Sequence, residues 1–351
     1  VAVGKSAGIG ATLAYNALDN TIGAYMHSNT IKALGSDVDV TVDADNTGRT
    51  YGIAAGVAAS SKVAINGSVA VNRGGSNTEA VIDNSENKES NIENAGKVDV
   101  TADDETYRIA VVGQVSAAAK AAVGGGVAYN DIADYSEDSE KSSQNTTAAI
   151  KNTDITMADS GENTVNVAAV DKSELNTIAV GVAAAANAGV QGSAATSLIN
   201  KNTSAVIENT NIDENSGSTA NVTVDADNNS KITSSADTAS VALQGAGVGA
   251  GVAVNRIVQQ TNAAVNGGTM NVKNLTVDAY ANPAIQNIGV GIAAAGQGAG
   301  VAGSVSVNMI DNDVTAHIGN GANIVADGNV GVLAASDEQI SNYSGMLAAA
   351  G

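Results

Sequence analysis

The stretch GSVAVN, residues 67–72, decides the fold because it is one of six related tracts in this 351-residue chain. Each tract mixes small and β-branched residues and ends in asparagine. The terminal asparagines lie 56, 58, 70, 55 and 53 residues apart. Self-similarity at a period of this size is typical of repeat architectures. The tracts are GATLAYN (10–16), GSVAVN (67–72), GGGVAYN (124–130), AATSLIN (194–200), GAGVAVN (249–255) and GSVSVN (303–308).

Two further motifs recur in step with these tracts. Val-x-Val-x-Ala first ends at Ala44, and its later alanines follow at intervals of 58, 67, 57, 53 and 55 residues. Thr-x-Ala-x-Ile begins at Thr78, Thr146 and Thr203, and a weaker first copy is placed at Thr21. Motifs that keep step through six copies predict six degenerate repeats of 53–70 residues. They also predict one continuous domain over residues 1–351.

Within each repeat, apolar and polar residues alternate with a period of two, and clusters of Asn, Asp, Gly and Ser separate the alternating segments, which predicts strands and turns. The alanine run 117–122 favours a helix by propensity, but neighbouring glycines and the equivalent copies argue against one. Short strands without helices predict an all-β parallel β-helix, or β-solenoid. Coils of roughly 18–28 residues and strands about 4.8 Å apart would place two or three coils in each repeat and give a rod of roughly 60–90 Å.

Composition limits the chemistry of this chain. It has 39 Gly and eight Tyr, but no Cys, Trp or Phe, so its core must consist of small, mostly β-branched residues, and disulfides and thiolate metal sites are excluded. The single proline, Pro283, lies in a predicted turn. A formal net charge of -20 disfavours nucleic acid as a partner. The two histidines, His27 and His317, lie at different phases of the repeat, so neither a zinc site nor any cofactor is predicted.

The glycine- and alanine-rich tracts are apolar or flat on both faces, a pattern typical of strands covered on both sides. One face is expected to line the interior. The other requires a neighbouring layer of the chain, a second copy or lipid, of which we favour lateral self-association. Polar residues such as Lys62 interrupt the apolar run, so no membrane span is predicted in this segment. The predicted self-association face consists of Gly52, Ala54, Gly56, Gly289, Gly291 and Ala293.

Catalytic motifs are sparse. Residues 4–8, Gly-Lys-Ser-Ala-Gly, match the nucleophile-elbow pattern, but the equivalent residues 60–64 of the next repeat do not, and no strand-turn-helix setting is predicted for Ser6. Acidic residues are plentiful and are expected at solvated turns, where they discourage aggregation between sheet edges. Calcium binding and glycan cleavage are the alternatives for these residues. We therefore predict a protein that is not an enzyme. The acidic groups considered are Asp43, Asp45, Asp103 to Glu105, Asp225 and Asp227.

An inserted acidic loop over residues 131–145 distinguishes one repeat, because the corresponding gap after Asn72 is ten residues shorter. Tolerated length variation is the simpler interpretation. Loops on a rigid scaffold nevertheless often carry recognition, so this loop is the candidate ligand contact. Its candidate residues are Asp131, Asp134, Tyr135, Glu137, Asp138 and Glu140.

The succession of GSVAVN-type tracts, Thr-x-Ala-x-Ile and Val-x-Val-x-Ala resembles the leukotoxin-like filamentous adhesins of fusobacteria, within the broader group of autotransporter and filamentous-haemagglutinin exoproteins. This resemblance covers essentially the whole chain. It implies a β-helical stalk that is exported across an outer membrane to the bacterial cell surface or the extracellular space. It does not specify the host- or neighbouring-cell ligand.

Both ends of the chain fall within a repeat, so the array is expected to be an uncapped fragment that continues in both directions. Three alternatives to a structural stalk remain open at this stage. They are a pore-forming or cytotoxic exoprotein, a trimeric fibre and a polysaccharide-degrading β-helix enzyme.

Overall fold

A computed structural model describes residues 1–33, 37–85, 91–135, 141–142, 144–159, 161–213 and 220–351. Throughout these ranges the chain is all-β and contains no helix. Its strands are β1 Ala2–Gly4, β2 Ala7–Ala17, β3 Asn20–His27, β4 Ile31–Lys32, β5 Val38–Ser60, β6 Val63–Arg73, β7 Ser76–Asp83, β8 Asn91–Ala118, β9 Ala121–Ile132, β10 Asp134–Tyr135, β11 Lys141–Ser142, β12 Gln144–Lys151, β13 Asp154–Met157, β14 Thr164–Ala185, β15 Ala188–Glu208, β16 Asn211–Asp213, β17 Ala220–Asn228, β18 Lys231–Ala242, β19 Ala246–Asn266, β20 Thr269–Ala281, β21 Ala284–Ala295, β22 Gly300–Gly319, β23 Asn323–Ala326, β24 Val330–Ser336 and β25 Gln339–Ala350.

Two parallel sheets contain nearly all of these strands. The large sheet has 14 strands, beginning with β1 and ending with β25, and the small sheet has nine, from β2 to β22. Only β10 and β11 pair in antiparallel fashion among the described strands. The chain crosses from β5 in the large sheet to β6 and β7 in the small sheet, and then returns to the large sheet in β8.

Equivalent residues of successive repeats lie side by side on neighbouring strands. Val40 pairs with Val98, Val98 with Val165, and Val165 with Val222. The all-β class and the parallel pairing expected from the repeats are thus confirmed. Each repeat adds one layer to each sheet, so the prediction of two or three coils per repeat is wrong. At about 4.8 Å per layer, the stack is about 30 Å high rather than 60 Å or more.

Strand length explains this difference. β5 has 23 residues and β8 has 28, so segments that look like separate strands in the sequence form one. The acidic positions expected at turns, including Asp45 and Asp103, lie in mid-strand and pair with each other across β5 and β8. Polar residues do not end a strand whose backbone is hydrogen-bonded on both sides. The turns predicted at these polar positions are therefore absent.

The fourth repeat has a different register from the one that its sequence suggests. Ser197, not Asn200, lies beside Asn130 and Asn255. In the first repeat, Ile22 rather than Thr21 lies beside Thr78. The alternation of inward and outward side chains sets the register, since a slip of one residue exchanges the two faces of a strand.

The core lies between the two sheets and consists of small and β-branched residues, as the composition predicts. The valines and alanine of Val-x-Val-x-Ala pack against the isoleucines of Thr-x-Ala-x-Ile, as Val98 and Ile82 do within one buried cluster. Burial of each such valine or isoleucine contributes about 1.5–3 kcal/mol. Pro283 lies between β20 and β21, outside any strand, as expected.

Candidate functional site

The residues of the predicted self-association face point into the protein, so that prediction is wrong. Gly52, Ala54 and Gly56 occupy buried positions of β5, and Gly289, Gly291 and Ala293 are buried in β21. A Cβ atom on Gly52 would lie 2.7 Å from Oδ1 of Asn72 on the opposite sheet. Glycine and alanine are therefore needed where the two sheets approach closely, which is an internal role.

The outward positions of the same strands carry larger apolar side chains. On the large sheet, Ile53 is 66% exposed and Ile288 is 51% exposed. We call this surface face A, and its exposed residues are Tyr51, Ile53, Val57, Val115, Val180, Val182, Val241, Ile288, Ile292, Tyr343 and Leu347. We call the corresponding surface of the small sheet face B, and its exposed residues are Ile9, Leu13, Val63, Ile65, Val123, Val127, Val190, Val252, Val254, Val301, Val305 and Val307.

Faces A and B meet at the edge where tight turns join the two sheets. An apolar groove of about 810 Å³ runs along this edge, lined by residues such as Ala59, Ala118, Ala185 and Leu243. Monomeric proteins rarely expose contiguous apolar surface of this extent. One half of the structure therefore presents apolar side chains on both outer faces and along its edge.

Acidic side chains occupy the other half of the large sheet. Asp225 lies beside Asp278 on the neighbouring strand, and Asp103 lies beside Asp45. Partial burial, together with the neighbouring carboxylates of Asp278 and Asp227, raises the pKa of Asp225 above its usual value. The outer surface of the large sheet is thus divided along its strands into an acidic half and a half that is apolar except for Asp237, which lies beside Val180.

Asparagines at the ends of all the recurring tracts except the fourth, where Ser197 takes the position, lie in a ladder inside the protein. Nδ2 of Asn16 donates to Oδ1 of Asn72 at 2.8 Å, and Nδ2 of Asn72 donates to Oδ1 of Asn130 at 2.8 Å. Nδ2 of Asn72 also donates to the carbonyl oxygen of Ile109 on the large sheet. Each such amide joins one layer to the next and one sheet to the other. Further along the stack, Asn255 donates to Asn308 in the same way.

A buried ionic cluster lies beside this ladder. Nζ of Lys201, in β15 of the small sheet, is 3.1 Å from Oδ2 of Asp104 and 2.8 Å from Oδ2 of Asp171. Asp104 belongs to β8 and Asp171 to β14, so the two carboxyls come from adjacent strands of the large sheet. All three side chains are completely buried.

The two carboxyls of this cluster have different surroundings. Burial raises the pKa of Asp171 to about 6, although Lys201 opposes the shift. Burial also acts on Asp104, but Lys201 and the hydroxyl of Ser76 outweigh it and hold the pKa of Asp104 below its usual value. Thr78 and Thr106 donate to Asp104 at 3.0 and 2.9 Å. Asp171 is therefore the more readily protonated of the two carboxyls, and Asp104 is the more firmly ionised.

Arg108, two strand positions beyond Thr106, supplies another buried positive charge. Its guanidinium donates to the carbonyl oxygen of Asp131 at 2.9 Å and to that of Leu18 at 3.2 Å. Burial lowers the pKa of Arg108 to about 10, against the opposing charges of Asp131, Asp19 and Asp104. Among the described residues, the buried charged side chains are Lys201 and Arg108, which are basic, and Asp104, Asp131 and Asp171, which are acidic.

The inserted loop is described only in part. Asp131 is fully buried at the end of β9 and accepts a hydrogen bond from Tyr129 at 2.6 Å, so it does not form part of a ligand-contacting surface. Asp134 and Tyr135 lie in β10, and their side chains are outside the described part of the structure. Glu137, Asp138 and Glu140 also lie outside the described residues.

The remaining candidate residues do not converge on a site. Ser6 is exposed in the turn between β1 and β2. His27 stacks on Tyr25 with ring centroids 5.5 Å apart, and Nε2 of His317 contacts Oδ1 of Asn266 at 3.2 Å. Among the described residues, no group of three or more His, Asp or Glu side chains is placed to hold a metal ion.

Sequence reasoning missed the cluster around Lys201, although the alternation contained a signal. Lys201 precedes the inward Thr203 by two residues, so it must point inward too. The same parity places Asp104 inward from Ala102 and Asp171 inward from Ala169. Three ionisable residues at inward positions mark an internal site, whereas we had expected acidic residues such as Asp104 at solvated turns.

Comparison of the chain with protein-family models, with curated proteins and with solved structures gives no match. Over the part of the chain that the structure describes, no helix is both long enough and apolar enough to cross a membrane.

Proposed function

We propose that the chain is a β-solenoid of six repeats, with one coil per repeat, and that it serves as a structural shaft segment of a secreted bacterial surface adhesin or extracellular filament. The parallel pairing of each repeat with the next supports the solenoid. The ladder from Asn16 through Asn72 to Asn130 supports it further, because like side chains stack at equivalent positions. The extracellular role rests on the resemblance of the repeated motifs to filamentous adhesins, and the proposed function is not enzymatic.

The observation that carries this proposal is the pair of apolar outer faces. Ten residues rising about 3.3 Å each, across six strands about 4.8 Å apart, give each face roughly 900 Å². A stable interface needs about 800 Å² from each partner. Face A or face B is therefore large enough to pack against a second copy of the chain, and the segment self-associates laterally through these faces. The partner on a host or neighbouring cell is unspecified.

Sedimentation velocity tests the self-association. The wild-type chain is expected to sediment as dimers or larger species, and a chain carrying both Val182→Lys and Val254→Lys is expected to sediment as a monomer, because lysine at the centre of each face places unpaired charge in the interface. Thr223→Lys, an outward residue of the acidic half, is the control and should leave association unchanged. A wild-type chain that stays monomeric at high concentration contradicts the proposal.

A second candidate function, membrane insertion by a pore-forming protein, is favoured by a different observation. Along the apolar half, most of the large outward residues are valine and isoleucine, although Asp237 is also outward beside Val180, while inward residues include Asn66, Ser68 and Gln114. The turns at the tip of this half carry Lys5, Lys62 and Lys120, which suits contact with anionic headgroups. Release of a trapped dye from anionic vesicles by the wild-type chain, but not by the Val182→Lys, Val254→Lys chain, supports this function. Absence of release rejects it.

A further inference from the structure

The buried cluster of Lys201, Asp104 and Asp171 holds two carboxyls and one amine without access to water. If all three groups are ionised, the cluster carries one excess negative charge in a medium of low dielectric constant, which is costly. Most structural ion pairs lie at the surface, where water stabilises each partner. In this cluster a primary amine and a carboxyl group are held in contact, and these two groups can react with each other.

We propose that Nζ of Lys201 and Cγ of Asp171 join in an amide bond, with Asp104 as the base, so that the two sheets are covalently cross-linked in one layer. Lys201 is 30 residues further along the chain than Asp171, and the two side chains meet across the interior. The proposal rests on the geometry of this cluster and is independent of the proposed role as a shaft.

The chemistry balances without any co-reactant. The ammonium of Lys201 first transfers a proton to the carboxylate of Asp104, 3.1 Å away. The neutral amine then attacks Cγ of the protonated Asp171, forming the carbon–nitrogen bond. The carbon–oxygen bond breaks, and the leaving hydroxyl departs as water with the proton that Asp104 returns, while the nitrogen gives its second proton to Asp104. If Lys201 begins as an ammonium, the whole reaction releases one proton to the solvent when Asp171 begins protonated and none when Asp171 begins ionised.

The surroundings assign different roles to the two carboxyls. Asp104 accepts hydrogen bonds from Thr78 and Thr106, which keep it ionised, so its carboxylate is the group in the cluster that can receive a proton from Lys201. The two carboxylates also raise the pKa of Lys201, so this proton transfer is uphill and is the slow part of the reaction. Burial raises the pKa of Asp171 to about 6, so a larger fraction of it is the neutral acid than for an ordinary aspartate, and the neutral acid is the form that an amine attacks. Reactants fixed at hydrogen-bond distance react far faster than the same groups free in solution.

Burial also favours the product. A neutral amide replaces the charges of Lys201 and Asp171, whose desolvation is costly in the protein interior. The remaining carboxylate of Asp104 keeps its hydroxyl donors and the attraction of the Arg108 guanidinium. The reaction therefore removes the ion pair and leaves a compensated charge.

Mass spectrometry of the intact, denatured chain tests the proposal. The wild-type chain is expected to weigh about 18 Da less than its sequence, because amide formation by a lysine nucleophile releases one water. Trypsin should yield a branched product that joins residues 152–172 to residues 173–231 without cleavage after Lys201. A folded wild-type chain that retains its full sequence mass after prolonged incubation overturns the proposal, and so does a branch that carries residues 98–108, which contain Asp104, in place of residues 152–172.

Variants separate the roles of the three residues. Asp171→Ala and Lys201→Met should each restore the full sequence mass. Asp104→Asn should retain the two reactants but slow cross-linking about 100-fold, as expected for loss of a general base. Circular dichroism shows which variants fold, and the wild-type mass decides the question even if none of them does. Equal rates of cross-linking in Asp104→Asn and wild type would contradict the role of Asp104.

Discussion

Asn72 donates a hydrogen bond at 2.8 Å to Asn130, which is 58 residues away in the chain and directly adjacent in the stack. The same Nδ2 atom donates at 2.6 Å to the carbonyl oxygen of Ile109 in the opposite sheet. One amide thus connects two repeats and two sheets. This relationship makes Asn72 and Asn130 structural residues of the interior rather than turn residues.

Asn72→Ala is expected to lower the free energy of unfolding by about 2–4 kcal/mol. The variant removes one of the two acceptors of Asn16, the donor to Oδ1 of Asn130 and the donor to the carbonyl oxygen of Ile109, and a buried polar group without a partner costs about 1–3 kcal/mol. Thermal unfolding followed by circular dichroism measures the change. Asn282→Ala, at an exposed position between β20 and β21, is the control and should differ from wild type by less than about 0.5 kcal/mol.

Gly291→Ala is expected to destabilise the fold by about 1–3 kcal/mol because the interior has no room for a methyl group there. Its Cβ would lie 2.5 Å from the carbonyl oxygen of Gly303 on the small sheet. Gly303→Ala is a matched control, since its own Cβ would meet no atom within 4 Å. Denaturation by urea measures both. Equal midpoints for the two variants would contradict the close approach of the sheets at Gly291.

Arg108→Ala is expected to cost about 3–5 kcal/mol, because buried carboxylates lose their compensating charge. Arg108→Lys should lie between this variant and wild type, since one ammonium lacks the fork of a guanidinium that reaches both carbonyl oxygens. Differential scanning calorimetry measures both changes. Arg256→Ala removes an exposed arginine that lies 3.9 Å from Asp311, and it should cost less than about 1 kcal/mol.

Asp225→Asn is expected to stabilise the protein at neutral pH by less than about 1 kcal/mol, since the site is partly exposed. The pKa of Asp225 is raised in the folded state by burial and by Asp278, so the folded state binds protons more tightly than the unfolded one. Stability from this group is therefore greatest in acid and falls as the pH rises through the folded pKa. The variant lacks this fall, so its advantage should disappear below the ordinary pKa of aspartate.

Urea denaturation at a series of pH values checks the prediction for Asp225. Asp327→Asn removes one negative charge at an exposed turn and controls for the change in net charge. A stabilisation by Asp225→Asn that persists unchanged in acid would show that charge repulsion is not its cause.

Repetition made the layering predictable from the sequence, because Val40, Val98 and Val165 recur in step and then pair in the structure. The number of layers per repeat was not predictable, since Asp45 and its neighbours look like turn residues. Whether a polar residue ends a strand depends on the pairing of its backbone, which is set by other repeats. The sequence alone could not show that β5 runs unbroken for 23 residues.

The candidate sites were also predictable only in part. The alternation of side chains along β5 predicts that Gly52 points inward and Ile53 points outward. Sequence analysis instead assigns Gly52 to an outer contact face because glycine is small. Lys201 lies 97 positions after Asp104 and 30 positions after Asp171 in the chain, so their contact depends on long-range folding. The alternation of the sequence predicts that all three side chains point inward. Their proximity could be predicted only with knowledge of how the strands of both sheets stack.

One layer per repeat has a geometric consequence for any longer array. More than fifty residues raise the stack by only about 4.8 Å, yet they span its full width twice. Duplication of a repeat thus produces a broad plank that grows slowly in height, and every copy adds another row to faces A and B. Valency for a lateral neighbour would increase in proportion to the number of copies, while reach away from an anchoring point would increase little.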